Sequence, residues 1–195
     1  DGSSITNNGT VNSNHSSGTA YGLYTTLKSS DTITNNGTIL VNGSLGSIGI
    51  YLNGATVGGI VSNSGAITAK QNGNLDSNSY AFYSSVSNVV TVNNSGTMNG
   101  NIKLTKGTFT NSGTVSLPHN ATNASIENFV NEATGILEIG LKTTDGVAGN
   151  ATYSKLTTTN ATFNSGSTIK VNVQGTDSNV TLLKDAVFND VVSAT

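Results

Sequence analysis

Side chains that could carry acid–base, nucleophilic or metal chemistry are few in this sequence of 195 residues. It contains two histidines, no cysteine and 10 acidic residues. His15 and His119 are far apart, and each stands among polar loop residues, so we interpret both as solvated loop side chains. No Gly-x-Ser-x-Gly segment is present. We therefore predict a protein that is not an enzyme and that holds no metal and no cofactor.

Cleavage of a polysaccharide is the catalytic alternative, by a polysaccharide lyase or a glycoside hydrolase. Such enzymes need clustered carboxylates. Residues 1–117 hold only three acids, which are Asp1, Asp31 and Asp76. Three others lie closer together in sequence, namely Glu127, Glu132 and Glu138. We predict that these three occupy a solvated face, so a binding function is favoured and the enzymatic alternative stays open.

The distribution of charged and apolar residues argues against nucleic acids as partners and against insertion into a membrane. All 8 basic residues are lysines spread along the chain, and the net charge is −2, so nucleic-acid binding is not predicted. No run of about 18 apolar residues occurs, so membrane insertion by this segment is not predicted either.

Hydrophobic residues make up only 34% of the chain. Because they are periodic and β-branched, the sequence favours a fold with a thin apolar interior over disorder.

A short motif recurs along the chain and must position any functional side chains. Each copy has an apolar residue, a polar turn ending in glycine and a second apolar residue, at 5–11, 33–39, 61–67, 92–98 and 109–115. A further segment, Asn164-Ser165-Gly166, keeps only the core of the motif. The first four turn glycines are spaced by 28 (37−9), 28 (65−37) and 31 (96−65) residues. A period in this range indicates a repeat architecture.

A second motif lies between these copies with the same period. Its three versions are Tyr21-Gly22-Leu23-Tyr24, Ile48-Gly49-Ile50-Tyr51 and Tyr80-Ala81-Phe82-Tyr83. Two unlike strand segments in fixed order within each repeat predict an all-β solenoid. We predict a single-stranded parallel β-helix, with like residues stacked about 4.8 Å apart. A propeller blade would need roughly 40–45 residues per repeat, which is too long.

Strand alternation assigns the faces of the second motif. The larger apolar set should point inward, namely Tyr21, Leu23, Ile48, Ile50, Tyr80 and Phe82. Tyr24, Tyr51 and Tyr83 should then form an outward column that could stack on sugars or anchor a protein partner. The structural alternative is that these three rings only pack on one another or under loops.

The turn asparagines should also stack. We predict a ladder of side-chain amides through Asn7, Asn35, Asn63, Asn94 and Asn111, with a structural role. The glycine of each turn is predicted to supply a positive φ. The uncharged Asn, Ser and Thr flank beside these turns could also support self-association, because no charge repulsion opposes it.

Three regions are predicted. Residues 1–117 form the regular β-helix body, with rungs near 5–32, 33–60, 61–91, 92–108 and 109–128. Residues 118–152 are degenerate rungs with a loop at 141–152, and Pro118 should mark a boundary between rungs. Residues 153–195 should supply the last rungs or a C-terminal cap, since an open solenoid end invites edge-to-edge pairing.

The two motifs together resemble the passenger domains of Gram-negative autotransporters, the type V secreted proteins. The resemblance rests on Gly49-Ile50-Tyr51-Leu52 beside Ile33-Thr34-Asn35-Asn36-Gly37-Thr38-Ile39. It also rests on the tail segments Tyr153-Ser154-Lys155-Leu156 and Asp190-Val191-Val192-Ser193-Ala194. It implies a right-handed parallel β-helix that is displayed at the bacterial cell surface or released. It further implies a longer protein, with this segment followed by an outer-membrane translocator barrel.

For function, the outward tyrosines and the uncharged flank predict a non-catalytic stalk that adheres to a host-cell glycan or protein, or that associates with other copies of itself. An inert spacer for another part of the protein is the remaining alternative. Asp177-Ser178-Asn179-Val180-Thr181 fits an acidic-x-Asn-x-Ser/Thr acceptor pattern, so Asn179 is a candidate glycosylation site.

Overall fold

The computed structural model describes residues 2–53, 58–85, 89–142, 151–173 and 191–194. Within these ranges the chain forms nineteen strands and no helix. The strands are β1 (Ser4–Asn7), β2 (Thr10–His15), β3 (Thr19–Thr25), β4 (Thr32–Asn35), β5 (Thr38–Gly43), β6 (Gly46–Leu52), β7 (Ile60–Asn63), β8 (Ala66–Gln71), β9 (Ser79–Ser84), β10 (Val90–Asn94), β11 (Thr97–Asn99), β12 (Asn101–Asn111), β13 (Thr114–Ser116), β14 (Ala124–Asn131), β15 (Ile136–Lys142), β16 (Thr152–Tyr153), β17 (Leu156–Phe163), β18 (Thr168–Val173) and β19 (Val192–Ala194).

The strands form three walls of parallel neighbours, one strand per wall in each coil. The first wall contains β1, β4, β7 and β10, followed by the later halves of β12, β14 and β17. The second contains β2, β5, β8, β11, β13, β15 and β18, and β16 pairs antiparallel with β15. The third contains β3, β6 and β9, then the earlier halves of β12, β14 and β17, and β19. The predicted all-β fold and parallel β-helix are confirmed.

The core consists of apolar columns that run along the axis between the walls. On the first wall the column is Ile33, Val61, Val92, Phe109 and Phe129, and on the second wall it is Ile39, Ile67, Met98, Val115 and Leu137. Each of these side chains is buried. Stacking like over like therefore removes a continuous apolar strip from water although the chain is mostly polar.

Coil length varies along the rod. Thr91 pairs with Thr108, so one coil has only 17 residues (108−91), and the predicted rung at 92–108 is present. The coil is short because β12 runs from the third wall directly onto the first wall. Gly107, with φ of 125°, lies where the pairing with β14 shifts between Leu104 and Thr108. A positive φ is required here, which glycine adopts without strain.

The predicted boundary at Pro118 is wrong. Pro118 is buried at the corner after β13, inside one coil, and the first wall continues past it with Asn111 paired to Asn131. The turn after Asn131 has four residues in place of two. In the next coil Phe163, and not Asn164, pairs with Asn131. The segment Asn164-Ser165-Gly166 therefore lies one residue out of register with the other copies of the motif, which is why it keeps only the core of the motif.

The predicted reason for the turn glycines is also wrong. Gly37, Gly65, Gly96 and Gly113 are not among the residues with positive φ. Instead, a Cβ atom at Gly65 would overlap the backbone oxygen of Gly37 in the preceding coil, and the later turn glycines repeat this overlap. Glycine is needed because two turns lie in direct backbone contact, which is a demand of stacking and not of the turn itself.

Part of the predicted C-terminal region is described. β18 pairs with β15 and β19 pairs with β17, so this part adds a further coil. Ile169 and Val171 in β18 are each 49% exposed. Residues 143–150 and 174–190 lie outside the described residues. They include most of the predicted loop and part of the predicted C-terminal rungs or cap.

The Asp31 carboxylate stabilises the corner that leads from β3 to β4, so the stability of the protein should depend on the ionisation of this group. Its carboxylate accepts hydrogen bonds from the backbone N–H of Ser3 at 2.7 Å and of Lys28 at 2.8 Å. These bonds, with that from Ser3 contributing most, hold the pKa of Asp31 below its ordinary value. Because the folded pKa is the lower one, the associated stability is present above the unfolded pKa and is lost as pH falls through the folded pKa.

We expect the urea midpoint of the unaltered chain to fall further between about pH 6 and about pH 3 than that of Asp31→Asn, which has no charge to lose. Urea titrations at both pH values measure this difference. An equal fall in the two proteins would show that the Asp31 carboxylate does not stabilise the corner.

Candidate functional site

The third wall presents its tyrosines to solvent in two columns, where one was predicted. Tyr24, Tyr51 and Tyr83 stack in register on its outer face, as expected. Tyr21 and Tyr80 were predicted to point inward, and this is wrong. Tyr21 is 38% exposed, and both rings contact the outward column. Leu23, Ile50 and Phe82 do face the core, as predicted.

The error arises because the strands of this wall do not alternate strictly. Two consecutive residues of each strand face inward, such as Gly49 and Ile50 in β6. A Cβ atom at Gly49 would overlap Ile67 and lie 2.6 Å from the backbone oxygen of Ala81, so the glycine lets the walls approach. The alternation therefore changes phase at Gly49, and Ile48 joins Tyr51 on the outer face. Simple period-two counting cannot detect such an irregularity.

The outer-face rings, two exposed and three half-buried, form a continuous aromatic surface, which we call the tyrosine face: Tyr21, Tyr24, Tyr51, Tyr80 and Tyr83. Ring centroids of Tyr24 and Tyr51 are 4.9 Å apart and those of Tyr51 and Tyr83 are 5.3 Å apart, both edge to face. Tyr21 stacks on Tyr51 with an interplanar angle of 28°. These are favourable aromatic geometries, so the rings also hold one another in place.

The tyrosine face is uncharged, polar at its tips and exposed at one end. Tyr24 is 56% exposed, and its hydroxyl accepts a hydrogen bond from the Asn53 amide at 2.5 Å. Partial burial, followed by the neighbouring hydroxyls, raises the pKa of Tyr51, and burial does the same for Tyr80. Both hydroxyls therefore stay protonated at neutral pH and can donate hydrogen bonds to a ligand.

A cationic groove follows the tyrosine face along the axis. Lys103 pairs with Tyr83 in the strand register, and its ammonium group lies 5.2 Å from the Tyr83 ring centroid. Beyond it, a groove of about 360 Å³ is lined by Lys103, Lys106, Glu127 and the hydroxyls of Ser125 and Thr157, among others. The wall thus changes from aromatic to charged and hydroxylated within one coil.

The predicted amide ladder is present at the inner edge of the first wall. Each side chain donates through Nδ2 to Oδ1 of the next, at 2.7 to 2.8 Å, in the order Asn7, Asn35, Asn63, Asn94 and Asn111. The ladder extends one step further, to Asn131, because Asn111 donates to it at 2.8 Å. Asn131 was missed because its turn is longer. From Asn35 to Asn131 these side chains are buried, so their role is structural.

The three glutamates weighed for the enzymatic alternative are each engaged separately. Glu127 binds Lys106 at 2.8 Å and the backbone N–H of Gly107 at 2.6 Å. Glu138 pairs with Lys170 at 3.1 Å, and Glu132 accepts from the Asn164 amide at 2.7 Å. Across the described ranges no three His, Asp or Glu side chains form a group that could hold a metal ion.

His119 has the contact closest to catalytic chemistry. Its Nδ1 lies 2.8 Å from the Thr152 hydroxyl. Burial, and then the charge of Lys142, lowers the pKa of His119, while Asp76 acts in the opposite direction. A neutral imidazole beside a hydroxyl is one element of a nucleophile–base pair. The His15 ring accepts a hydrogen bond at Nδ1 from the backbone N–H of Ser17 at 3.3 Å.

Comparison with protein-family models, with curated proteins and with solved structures finds no match to this chain. In the described part of the chain there is no helix with the length and hydropathy needed to cross a membrane. Asn179, the candidate glycosylation site, lies outside the described residues.

Proposed function

We propose that this chain is a non-catalytic adhesive rod, the passenger segment of a type V secreted protein that acts at the bacterial cell surface or after release. The observation that supports adhesion is the tyrosine face, which spans three successive coils on one wall. Tyrosine is enriched where proteins bind partners, because it offers a large apolar area with a hydroxyl at its tip. A purely structural column would not require its rings at the surface.

The rod itself supports this proposal. The amide ladder and the apolar columns keep equivalent residues one strand spacing apart, so a surface motif is repeated along the axis. Repetition allows several weak contacts to act together, as expected for attachment between large surfaces. The low charge of the chain also permits side-by-side contact between rods.

We expect the triple variant Tyr24/Tyr51/Tyr83→Ser to lose at least about tenfold in adhesion to host cells or in self-aggregation, because a cluster of aromatic anchors is removed. Adhesion of beads coated with the protein, together with their clumping, measures the two forms of binding. The matched control is the triple variant Asn12/Leu40/Thr68→Ser, which alters the outer face of the second wall in the same three coils.

Equal binding by the two triple variants and the unaltered protein would contradict the adhesive role. It would favour the inert-spacer alternative. Circular dichroism and urea titration of both variants are needed, so that a loss of folding is not taken for a loss of adhesion.

Polysaccharide cleavage is the second candidate, and the contact between His119 and Thr152 is the observation that favours it. A panel of plant, animal and bacterial polysaccharides, read by new reducing ends and by the absorbance of unsaturated products, tests this candidate. Turnover that is abolished by His119→Ala would replace the adhesive proposal with an enzymatic one.

A further inference from the structure

The tyrosine face and the cationic groove belong to one outer column of the third wall. In strand register, Tyr24 is followed by Tyr51, Tyr83, Lys103, Ser125 and Thr157. These side chains therefore lie one above another along the axis, aromatic in the first three coils, cationic in the fourth and hydroxylated thereafter. A ligand that follows the axis would meet these three chemistries in this order.

Lys103 is the cation of this column that is left for a ligand. Among the described residues, the two ion pairs engage Lys106 with Glu127 and Lys170 with Glu138. Lys103 instead lies over the Tyr83 ring, a cation–π contact that positions its ammonium group at the end of the tyrosine face. Its positive charge is complementary to an anionic group bound at that point.

The spacing of the rings suits a chain of sugars. Successive rings of the outward column are 4.9 and 5.3 Å apart. This advance is close to the length of one pyranose in an extended β-linked polysaccharide, whose C–H faces pack on aromatic rings and whose hydroxyls bond to phenolic groups. One sugar per coil would bring each tyrosine against one sugar, with ring faces and ring edges alternating because successive rings are nearly perpendicular, at 77° and 73°.

We propose that the third wall binds a linear uronate-containing polysaccharide along the helix axis, with sugars over Tyr24, Tyr51 and Tyr83 and a carboxylate on Lys103. This proposal rests on the adhesive function proposed above and specifies its partner. Ser125 and Thr157 extend the site beyond the carboxylate with neutral hydrogen-bonding groups. The Lys106–Glu127 pair borders the groove without adding net charge.

The test pairs one change in the ligand with one change in the protein. The ligand is a hyaluronan hexasaccharide, which alternates glucuronate with N-acetylglucosamine, and its control is the same hexasaccharide with methyl-esterified carboxyl groups. The protein variant is Lys103→Gln, and its control is Lys70→Gln on the second wall. Isothermal titration calorimetry at low and high salt measures the affinity of each protein for each of the two ligands.

We expect the acid to bind the unaltered chain and the Lys70→Gln variant about five- to tenfold more tightly than the ester does. This preference should disappear in Lys103→Gln and weaken with salt. An equal affinity for acid and ester, or an unchanged preference in Lys103→Gln, would overturn the assignment of Lys103. Tighter binding of sialyllactose than of the hexasaccharide would overturn a linear polymer in favour of a terminal acidic sugar.

Failure of this proposal is distinguishable from failure of the proposed function. If neither hexasaccharide binds while adhesion still depends on the three tyrosines, the polysaccharide is wrong and the adhesive role stands. If adhesion does not depend on the tyrosines, both proposals fall.

Discussion

Replacing Gly65 with alanine is expected to lower the free energy of unfolding by about 3 kcal/mol or more, at the upper end of the cost of overpacking. The new Cβ atom would overlap the backbone oxygen of Gly37. That oxygen accepts a hydrogen bond from the backbone N–H of Ala66 at 2.9 Å, so it cannot move away without breaking a contact between coils. The backbone must therefore open at this turn.

Gly9 supplies the matched control, because it occupies the same position of the same motif in the first coil. A Cβ atom there meets nothing within 4 Å. Gly9→Ala should therefore change stability by no more than about 0.5 kcal/mol. Urea unfolding followed by circular dichroism compares the two variants. Similar losses in both would show that the turn conformation itself requires glycine, as the sequence first indicated.

Asn63→Asp is expected to cost about 3–5 kcal/mol at neutral pH, because it places an uncompensated charge in a buried site. Asn63 is only 1% exposed. It receives a hydrogen bond from Asn35 and donates one to Asn94, each at 2.7 Å. An ionised aspartate can accept the first bond, but it cannot make the second. Its second oxygen would instead face the Asn94 carbonyl oxygen.

The pH dependence of Asn63→Asp provides a specific readout. Burial and the loss of the donor should raise the pKa of the new carboxyl group in the folded state. Because the folded pKa lies above the unfolded one, the protonated carboxyl group contributes stability that is fully present below the unfolded pKa. This contribution is lost as pH rises through the folded pKa. The variant should therefore regain part of its lost stability on acidification, since a protonated carboxyl can donate to Asn94.

Asn36→Asp is the control, because Asn36 is exposed beside the ladder and donates to the Asn8 side chain at 2.9 Å. Its cost should stay below about 1 kcal/mol. Hydrogen exchange of the amides in β7 and β10 would locate the damage, since a solenoid can open locally. Equal losses of stability in Asn63→Asp and Asn36→Asp would show that the ladder does not stabilise the stack.

Both variants also bear on the adhesive proposal. The tyrosine face depends on the strand spacing that the turns and the ladder maintain, although it lies on another wall. Gly65→Ala and Asn63→Asp should thus disturb adhesion only as far as they disturb folding. The triple tyrosine variant should show the reverse pattern, with adhesion lost and stability largely kept.

The candidate site was only partly predictable. Tyr24, Tyr51 and Tyr83 were placed on the outer face because they recur with the period of the turns. Tyr21 and Tyr80 were misplaced because a small residue, Gly22 or Ala81, faces inward beside the next core residue and shifts the alternation by one, which composition does not reveal. The sequence did not indicate that Lys103 lies beside the tyrosines, because its coil is the short one and has no copy of the second motif.

The sequence alone determined the parallel β-helix, the amide ladder as far as Asn111 and the registry of five coils, because each depends on residues that repeat at a regular interval. Only the tertiary structure decided why the turn glycines are needed, how Asn131 continues the ladder and which side chains adjoin Lys103. These features arise from contacts between coils, where residues far apart in sequence come within atomic distance, and a period cannot describe them.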